Sequence, residues 1–220
     1  MKKFVALLLA VLMVASLCAC GQKDTGSDLQ TVTKGKLIMS TNAEFAPYEY
    51  VADDGKGFQG TGYEGIDIEI AYALAQKLGL ELVVDNMDFD AALSAVQTGK
   101  SDMVAAGVTV TPDRLNAMSF TDSYANGVQV VIVKEGSDIK SIDDLQGKKI
   151  GTQRGTTGFL YCSDDFGDDN VIGFDDGATA VQNLKAGKID CVVIDNVPAQ
   201  EYVKANPGLT ILDTEYANED

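Results

Sequence analysis

Histidine is missing from the 220-residue sequence. Its absence excludes Ser-His-Asp and Cys-His catalysis, histidine zinc sites and histidine proton relays. Basic residues are scarce, at 17 against 33 acidic ones, and the formal net charge is −16. We therefore expect no nucleic-acid partner, because nothing supplies a basic stripe for phosphates. The sequence also has no Cys-x-x-Cys pair and no P-loop motif, which argues against thioredoxin-like and P-loop proteins.

What the sequence does contain is enough apolar material for a sizeable core. Hydrophobic residues make up 45% of the chain, so disorder is not the expected state. The length fits one large domain or two small ones.

The first residues have the features of an export signal. Lys2 and Lys3 precede an apolar run over residues 4–17, and its 14 residues fall short of the roughly 20 that a membrane-spanning helix needs. The run ends in Leu-Cys-Ala-Cys-Gly, which resembles a bacterial lipobox with Cys20 as the lipidated first residue of the mature chain. The alternative is an ordinary signal peptide that happens to contain cysteines. We expect a lipoprotein signal peptide over residues 1–19 and a flexible tether over residues 20–35.

Two cysteines remain in the body of the chain, Cys162 and Cys191. An oxidising compartment outside the cytoplasm permits a disulfide between them. Cys191 lies in an apolar, strand-like run, however, and this favours a buried free thiol.

The body alternates between strand and helix patterns. A strand over residues 36–40 precedes a helix with apolar residues at every fourth position from Ile66 to Leu78, ending at Gly79. Further on, residues 103–106 read as a buried strand. This alternation predicts an α/β fold with mainly parallel sheets covered by helices.

An internal repeat indicates two similar units. Residues 92–103 match residues 180–191 at an offset of 88 residues, and in each copy a helix ends at a glycine, a Lys-x-Asp turn follows and a strand begins. The alternative is that both are ordinary helix-to-strand turns. The same offset pairs Gly107 with Asp195, just past the ends of strands, where open α/β sheets place ligands. Between the copies, residues 127–133 are a candidate strand that crosses from one unit to the other.

Two opposite charges are the best candidates for binding. Thr111 is a good helix N-cap and Pro112 a good first residue, which puts Arg114 in the first turn, where a cation opposes the helix dipole. A bound carboxylate would compensate; alternatively, the arginine is solvated or paired with Asp113 or Asp122. Asp195 is either a helix cap or a counter-ion for an ammonium group. One charge from each unit would suit a zwitterion.

Other candidates lie in loops. Phe45 and Tyr48 follow the first strand, and Phe89 begins a helix. Such aromatic residues either pack into the core or line the apolar part of a ligand site. Residues 153–158 form a polar loop that could supply backbone donors.

Four segments together resemble the polar-amino-acid family of ABC-transporter substrate-binding proteins. They are residues 41–50 (TNAEFAPYEY), 63–70 (YEGIDIEI), 106–114 (AGVTVTPDR) and 120–124 (FTDSY), and the resemblance covers residues 36–220. It implies a two-lobed Venus-flytrap fold that closes on a free amino acid. Lobe 1 would span residues 36–126, lobe 2 residues 127–215, and a second hinge would start at residues 216–220.

The resemblance also implies roles for particular residues. Arg114 matches the position that binds the ligand carboxylate, and Asp195 the position that binds its ammonium group. Gly107, Thr109 and Thr157 match positions that contact the ligand through the backbone or a hydroxyl group. Phe45 and Phe89 match aromatic positions that stack on the ligand. Asn42 and Gln153 match positions that recognise the ligand's side chain.

The chain departs from the family in two ways. Many members that bind glutamine or basic side chains carry aspartate where this chain has Asn42, so we expect no strong preference for lysine or arginine. The family normally continues past residue 220 and returns to lobe 1, so we expect a truncated chain with exposed apolar surface.

The expected function is therefore extracytoplasmic capture of a polar amino acid and its delivery to ABC permease subunits. The expected state is a lipid-anchored monomer without cofactor, metal or enzymatic activity. One alternative is an enzyme on the same scaffold, similar to cyclohexadienyl dehydratase, in which Glu44 or another carboxylate acts as acid and base. Another is an amino-acid sensor domain.

Overall fold

Three β-sheets and six α-helices make up the part of the chain that the computed structural model describes, residues 29–219. The predicted signal peptide, Cys20 and residues 20–28 of the predicted tether lie outside the described residues. From Thr31 onward the described residues form one unit. Within the described range, no helix is both long enough and apolar enough to cross a membrane.

The strands and helices alternate along the chain, as the patterns predict. The strands are β1 (Lys36–Thr41), β2 (Glu44–Phe45), β3 (Glu49–Val51), β4 (Tyr63–Glu64), β5 (Glu81–Asn86), β6 (Met103–Val104), β7 (Gly127–Lys134), β8 (Ile150–Gln153), β9 (Val171–Phe174), β10 (Cys191–Asp195), β11 (Leu209–Ile211) and β12 (Ala217–Glu219). The helices are α1 (Ile66–Leu78), α2 (Phe89–Gln97), α3 (Pro112–Leu115), α4 (Thr157–Phe166), α5 (Gly177–Lys185) and α6 (Asn196–Ala205).

The sheets divide between two parts of the sequence, which we call the first half (residues 36–126) and the second half (residues 127–219). The first half contains a parallel sheet in the order β5-β1-β6 and a small antiparallel sheet, β2-β3-β4. The second half contains a six-stranded sheet in the order β11-β7-β10-β8-β9, with β12 also paired to β7. This larger sheet is mixed, because β7 runs antiparallel to all three of its partners.

Helix α1 covers the first sheet with a different face from the one predicted. The predicted apolar residues Ile66, Ile70 and Leu74 are exposed by 43%, 40% and 37%, whereas Ile68 and Ala71 are fully buried. Ile68 and Ala71 pack with Met39 of β1 in the core of this half. The small side chain of Ala71 allows the helix to pack closely against the sheet. The four-residue spacing of the large apolar side chains therefore predicted the wrong buried face of the helix.

The second half buries its sheet on both faces. Along β7, Val130 and Ile132 pack against α5 and α6 in one core, whereas Val131 and Val133 pack with α4 in another. This explains the continuous apolar run in the sequence, which is typical of a strand covered on both sides. The strand predicted to cross between units forms its pairs with β10, β11 and β12, all within the second half.

The internal repeat has a structural counterpart. Helices α2 and α5 have bounds that differ by the same 88 residues as the sequence match, and β6 and β10 begin at equivalent positions. In the first copy, Asp102 accepts a bond from the N–H of Ile38 at 2.7 Å. In the second, Asp190 accepts one from the N–H of Lys149 at 2.8 Å. The predicted strand over residues 103–106 is shorter than expected, ending at Val104.

The segment before β1 is hydrogen-bonded to the turn that contains Asp102. The N–H of Val32 donates to Asp102 at 2.7 Å, and the N–H of Lys36 donates to the carbonyl of Thr33 at 3.0 Å. The last residues of the predicted tether therefore form a turn against the first half.

The two cysteines are buried free thiols, as the apolar run favoured. Burial raises the pKa of Cys162 to about 12 and also raises the pKa of Cys191. Neither thiol is therefore ionised at neutral pH, and a buried neutral thiol is unreactive.

Candidate functional site

A cleft lies between the two halves of the sequence, where several parallel strands end. Asn42 follows β1 and Gly107 lies beyond β6, while Gln153 and Asp195 are the last residues of β8 and β10. The carboxyl ends of parallel strands are where open α/β sheets place their ligands. The empty volume of the cleft, counting its open mouth, is about 970 Å³.

The cleft collects every residue predicted for ligand binding. All nine positions line it: Asn42, Phe45, Phe89, Gly107, Thr109, Arg114, Gln153, Thr157 and Asp195. Glu44, the carboxylate considered for an enzyme, is exposed and is not among the lining residues. The predicted lipidation site, Cys20, lies outside the described residues.

Arg114 is buried in the wall of the cleft, where it contacts several groups. Thr111 caps the short helix α3 by accepting a bond from the N–H of Arg114 at 3.2 Å. The guanidinium donates to the carbonyl of Thr109 at 2.8 Å and to that of Gly155 at 3.1 Å, and it lies 5.6 Å from the centre of the Phe89 ring. Only 8% of the residue is exposed. The alternative of a solvated arginine is therefore wrong.

Asp195 has a structural role and also faces the cleft. Its Oδ1 caps α6 by accepting from the N–H of Val197 at 3.1 Å, and its Oδ2 accepts from the N–H of Val128 at 3.1 Å. The predicted helix cap is thus confirmed. A carboxylate has about four lone-pair positions, so it can accept from several donors at once.

Aromatic rings form the apolar part of the wall. Phe45 and Tyr48 are stacked with their centres 5.9 Å apart, and Phe89 is almost fully buried beneath Arg114. Gly107 lies against Phe45 with a φ of +55°, where a Cβ atom would come within 3.2 Å of the ring. This combination of left-handed backbone and close approach explains why glycine occupies the position.

Two amide side chains in the lining of the cleft join the halves. Gln153 donates to Asn42 Oδ1 at 2.8 Å and to the carbonyl of Asp175 at 3.3 Å, while Asn42 donates to the carbonyl of Met87 at 2.9 Å. Thr157 is buried at the start of α4. The bond between Arg114 and the carbonyl of Gly155 also joins the two halves.

One acidic side chain in the lining of the cleft was not predicted from the sequence. Glu49 lines the cleft but is only 1% exposed, and it lies beside the fully buried Asp67. Asp67 accepts bonds from the N–H of Gly107 at 3.0 Å and from the hydroxyl of Tyr124 at 2.8 Å. Burial, followed by the charge of Asp67, raises the pKa of Glu49 well above its usual range. Glu49 and Asp67 fall within motifs of the resemblance, which is the signal that could have marked them.

The described residues contain no group of three or more histidine, cysteine or acidic side chains arranged to hold a metal ion. The cleft is lined by a guanidinium, several carboxyl groups, amides, hydroxyls and aromatic rings. Such a lining binds small polar molecules through hydrogen bonds and opposite charges.

Two α/β halves with a polar cleft between them define the class of two-lobed binding proteins. Residues 37–171 match the family described as bacterial extracellular solute-binding proteins, family 3. The chain belongs to this family, whose members act outside the cytoplasm.

Several proteins with similar sequences are named as amino-acid-binding proteins. The chain is 34% identical over 216 residues to the arginine-binding extracellular protein ArtP of Bacillus subtilis, covering 95% of this chain and 79% of the relative. It is 35% identical over 211 residues to a probable histidine-binding protein of Neisseria gonorrhoeae, covering 94% and 76%. Among solved structures, an ancestral arginine-binding protein bound to glutamine matches with 38% identity and a TM-score of 0.76, covering 86% of this chain and 83% of that one.

Proposed function

We propose that the protein captures a free polar amino acid outside the cytoplasm and delivers it to the permease of an ABC transporter. The observation that carries this proposal is the placement of Arg114 and Asp195, which come from different halves of the sequence and line the same cleft. The names of the relatives, which cover arginine and histidine, support an amino acid as the ligand.

The two charges would bind the two ends of a zwitterion. Arg114 can form a planar, two-pronged contact with a carboxylate, since two backbone carbonyls and the Phe89 ring already fix the plane of its guanidinium. Asp195 would accept from the α-ammonium group. Its two bonds to backbone N–H groups hold the carboxylate in position before the ligand arrives.

The other lining residues would complete the site. Thr109, Thr157 and the backbone at Gly107 supply hydrogen bonds to the ligand's main chain, and Phe45 and Phe89 wall its apolar part. Asn42 and Gln153 would read the polar end of the ligand's side chain. Because Asn42 is uncharged, we propose no strong preference for lysine or arginine.

Closure of the two lobes would be the mechanism of capture. The ligand favours the closed state because only there do the groups of both lobes reach it. Direct contacts between the halves, such as Gln153 with Asn42 and Arg114 with the carbonyl of Gly155, support this closed arrangement. The proposed lobes span residues 36–126 and 127–215, with the second hinge starting at residues 216–220.

We further propose a lipid-anchored, monomeric protein. Residues 1–19 would be removed as a lipoprotein signal peptide, Cys20 would carry the lipid, including palmitate, and the following residues would tether the binding unit to the outer face of the membrane. The bound amino acid would be released unchanged, without a cofactor.

A thermal-unfolding screen of the purified protein against the twenty amino acids tests the proposal. A ligand present at 100 times its dissociation constant should stabilise the folded state by about 2.7 kcal/mol. We expect a raised unfolding midpoint with one or a few polar amino acids, and recovery of each one chemically unchanged. Cooperative unfolding whose midpoint no amino acid shifts would contradict the proposal.

A further inference from the structure

A buried carboxyl group ties two walls of the cleft together. Asp67, fully buried at the start of α1, accepts one bond from the N–H of Gly107 and another from the hydroxyl of Tyr124. Gly107 belongs to the loop beneath Phe45, whereas Tyr124 belongs to the segment that leads into β7. Both residues line the cleft. The position of each wall therefore depends on Asp67.

A second carboxyl group lies beside the first. Glu49, on β3, is only 1% exposed, and its Oε2 is buried without a hydrogen-bond partner. Two carboxyl groups buried side by side are stable only if one of them carries a proton, because two buried negative charges would repel each other. Asp67 already accepts from two other donors, which favours the proton on Glu49 and the negative charge on Asp67.

We infer that Glu49 and Asp67 share a single proton, and that this acid pair positions the amide of Gly107 and the hydroxyl of Tyr124 for ligand binding. This inference rests on the proposed function. Neither residue needs to touch the ligand: both act through the groups that Asp67 holds. Loss of the proton would place a second negative charge beside Asp67, and the repulsion would release both walls.

Three tyrosine hydroxyls interact with the acid pair. Burial, followed by Asp195, Asp67 and Glu49, raises the pKa of Tyr48 to about 12. Burial, followed by nearby carboxyl groups, also raises the pKa of Tyr124 and of Tyr202. These hydroxyls stay protonated up to about pH 9, so their charge does not change between about pH 5 and about pH 9.

The direction of the pH effect follows from the raised pKa of Glu49. The folded protein holds the proton more tightly than the unfolded chain, whose glutamic acid has the ordinary value of 4.5. The stability that this group contributes is therefore fully present below that ordinary value and is lost as the pH rises towards the pKa of the folded state. The unfolding constant should increase by up to about tenfold per pH unit over this range.

The test compares three forms of the full chain. Glu49→Gln keeps a donor towards Asp67 but cannot ionise, and Glu69→Gln removes an exposed carboxylate from the same helix as Asp67. Urea unfolding without ligand is measured from about pH 5 to about pH 9. We expect the slope with pH to be reduced in Glu49→Gln and unchanged in Glu69→Gln. Infrared spectra of the unmodified protein with ¹³C-labelled glutamate should show a protonated carboxylic acid at neutral pH.

Ligand affinity is then measured over the same pH range with an amino acid that binds in the thermal screen. We expect it to weaken at high pH in the unmodified protein and in Glu69→Gln, and to lose this dependence in Glu49→Gln. Parallel unfolding profiles for all three forms, or no infrared band, would overturn the shared proton. Equal pH dependence of affinity in all three would overturn the positioning role. A screen without any ligand would overturn the proposed function alone, because the unfolding and infrared results need no ligand.

Discussion

Single residues in the cleft show what local chemistry predicts and what it misses. Arg114 stood out because a cation in the first turn of a helix is unfavourable, and the structure shows it buried with carbonyl partners from both halves. Glu49 did not stand out, because its neighbour Asp67 lies on another element and the contact depends on tertiary packing. Sequence spacing reveals charges at helix ends far better than it reveals buried acid pairs.

Gly107 gives a prediction at this scale. Gly107→Ala should destabilise the protein by about 1–2 kcal/mol, since alanine disfavours a left-handed backbone, and it should also weaken ligand binding, because the new methyl group pushes on Phe45. Gly79→Ala is the matched control: its φ is +70° but nothing lies within 4 Å. Urea unfolding and titration calorimetry check both effects. Equal affinity in the two variants would contradict the role of the Gly107–Phe45 contact.

At the scale of elements, the repeat was predictable because its signals are local. A glycine that ends a helix and an aspartate in the next turn act within a few residues, and α2 and α5 accordingly have equivalent bounds. The buried face of α1 was not predictable in this way, because Ala71 packs where larger residues were expected. The small sheet β2-β3-β4 also gave no periodic signal, since its strands have only two or three residues.

The two equivalent aspartates should differ in their effect on stability. Asp102 is half-buried and accepts from two backbone N–H groups, those of Val32 and Ile38, whereas the exposed Asp190 accepts from that of Lys149. Unpaired donors cost about 1–3 kcal/mol each when buried and less when water can reach them. Asp102→Ala should therefore lower the free energy of unfolding more than Asp190→Ala, as measured in urea. A reversed order would contradict this account of the turns.

At the scale of the whole molecule, the sequence predicted two α/β lobes but not how they meet. The contacts that join the halves, such as Gln153 with Asn42, lie 111 residues apart in the sequence, and no periodic pattern reports such pairs. The family resemblance predicted which residues of the two halves bind the ligand, and the structure places all nine of them in the lining of one cleft. The mixed direction of the larger sheet is a second feature that alternation alone could not reveal.

Titration calorimetry with ligand analogues tests the central claim, that one charge from each lobe binds one end of a zwitterion. The best ligand of the screen, its carboxamide and its N-acetyl form are compared on the unmodified protein, Arg114→Lys and Asp195→Asn, in which asparagine still caps α6. We predict that both analogues lose roughly tenfold or more in affinity on the unmodified protein. Arg114→Lys should reduce the penalty for the carboxamide alone, and Asp195→Asn the penalty for the N-acetyl form alone. Penalties that neither variant changes would contradict the account.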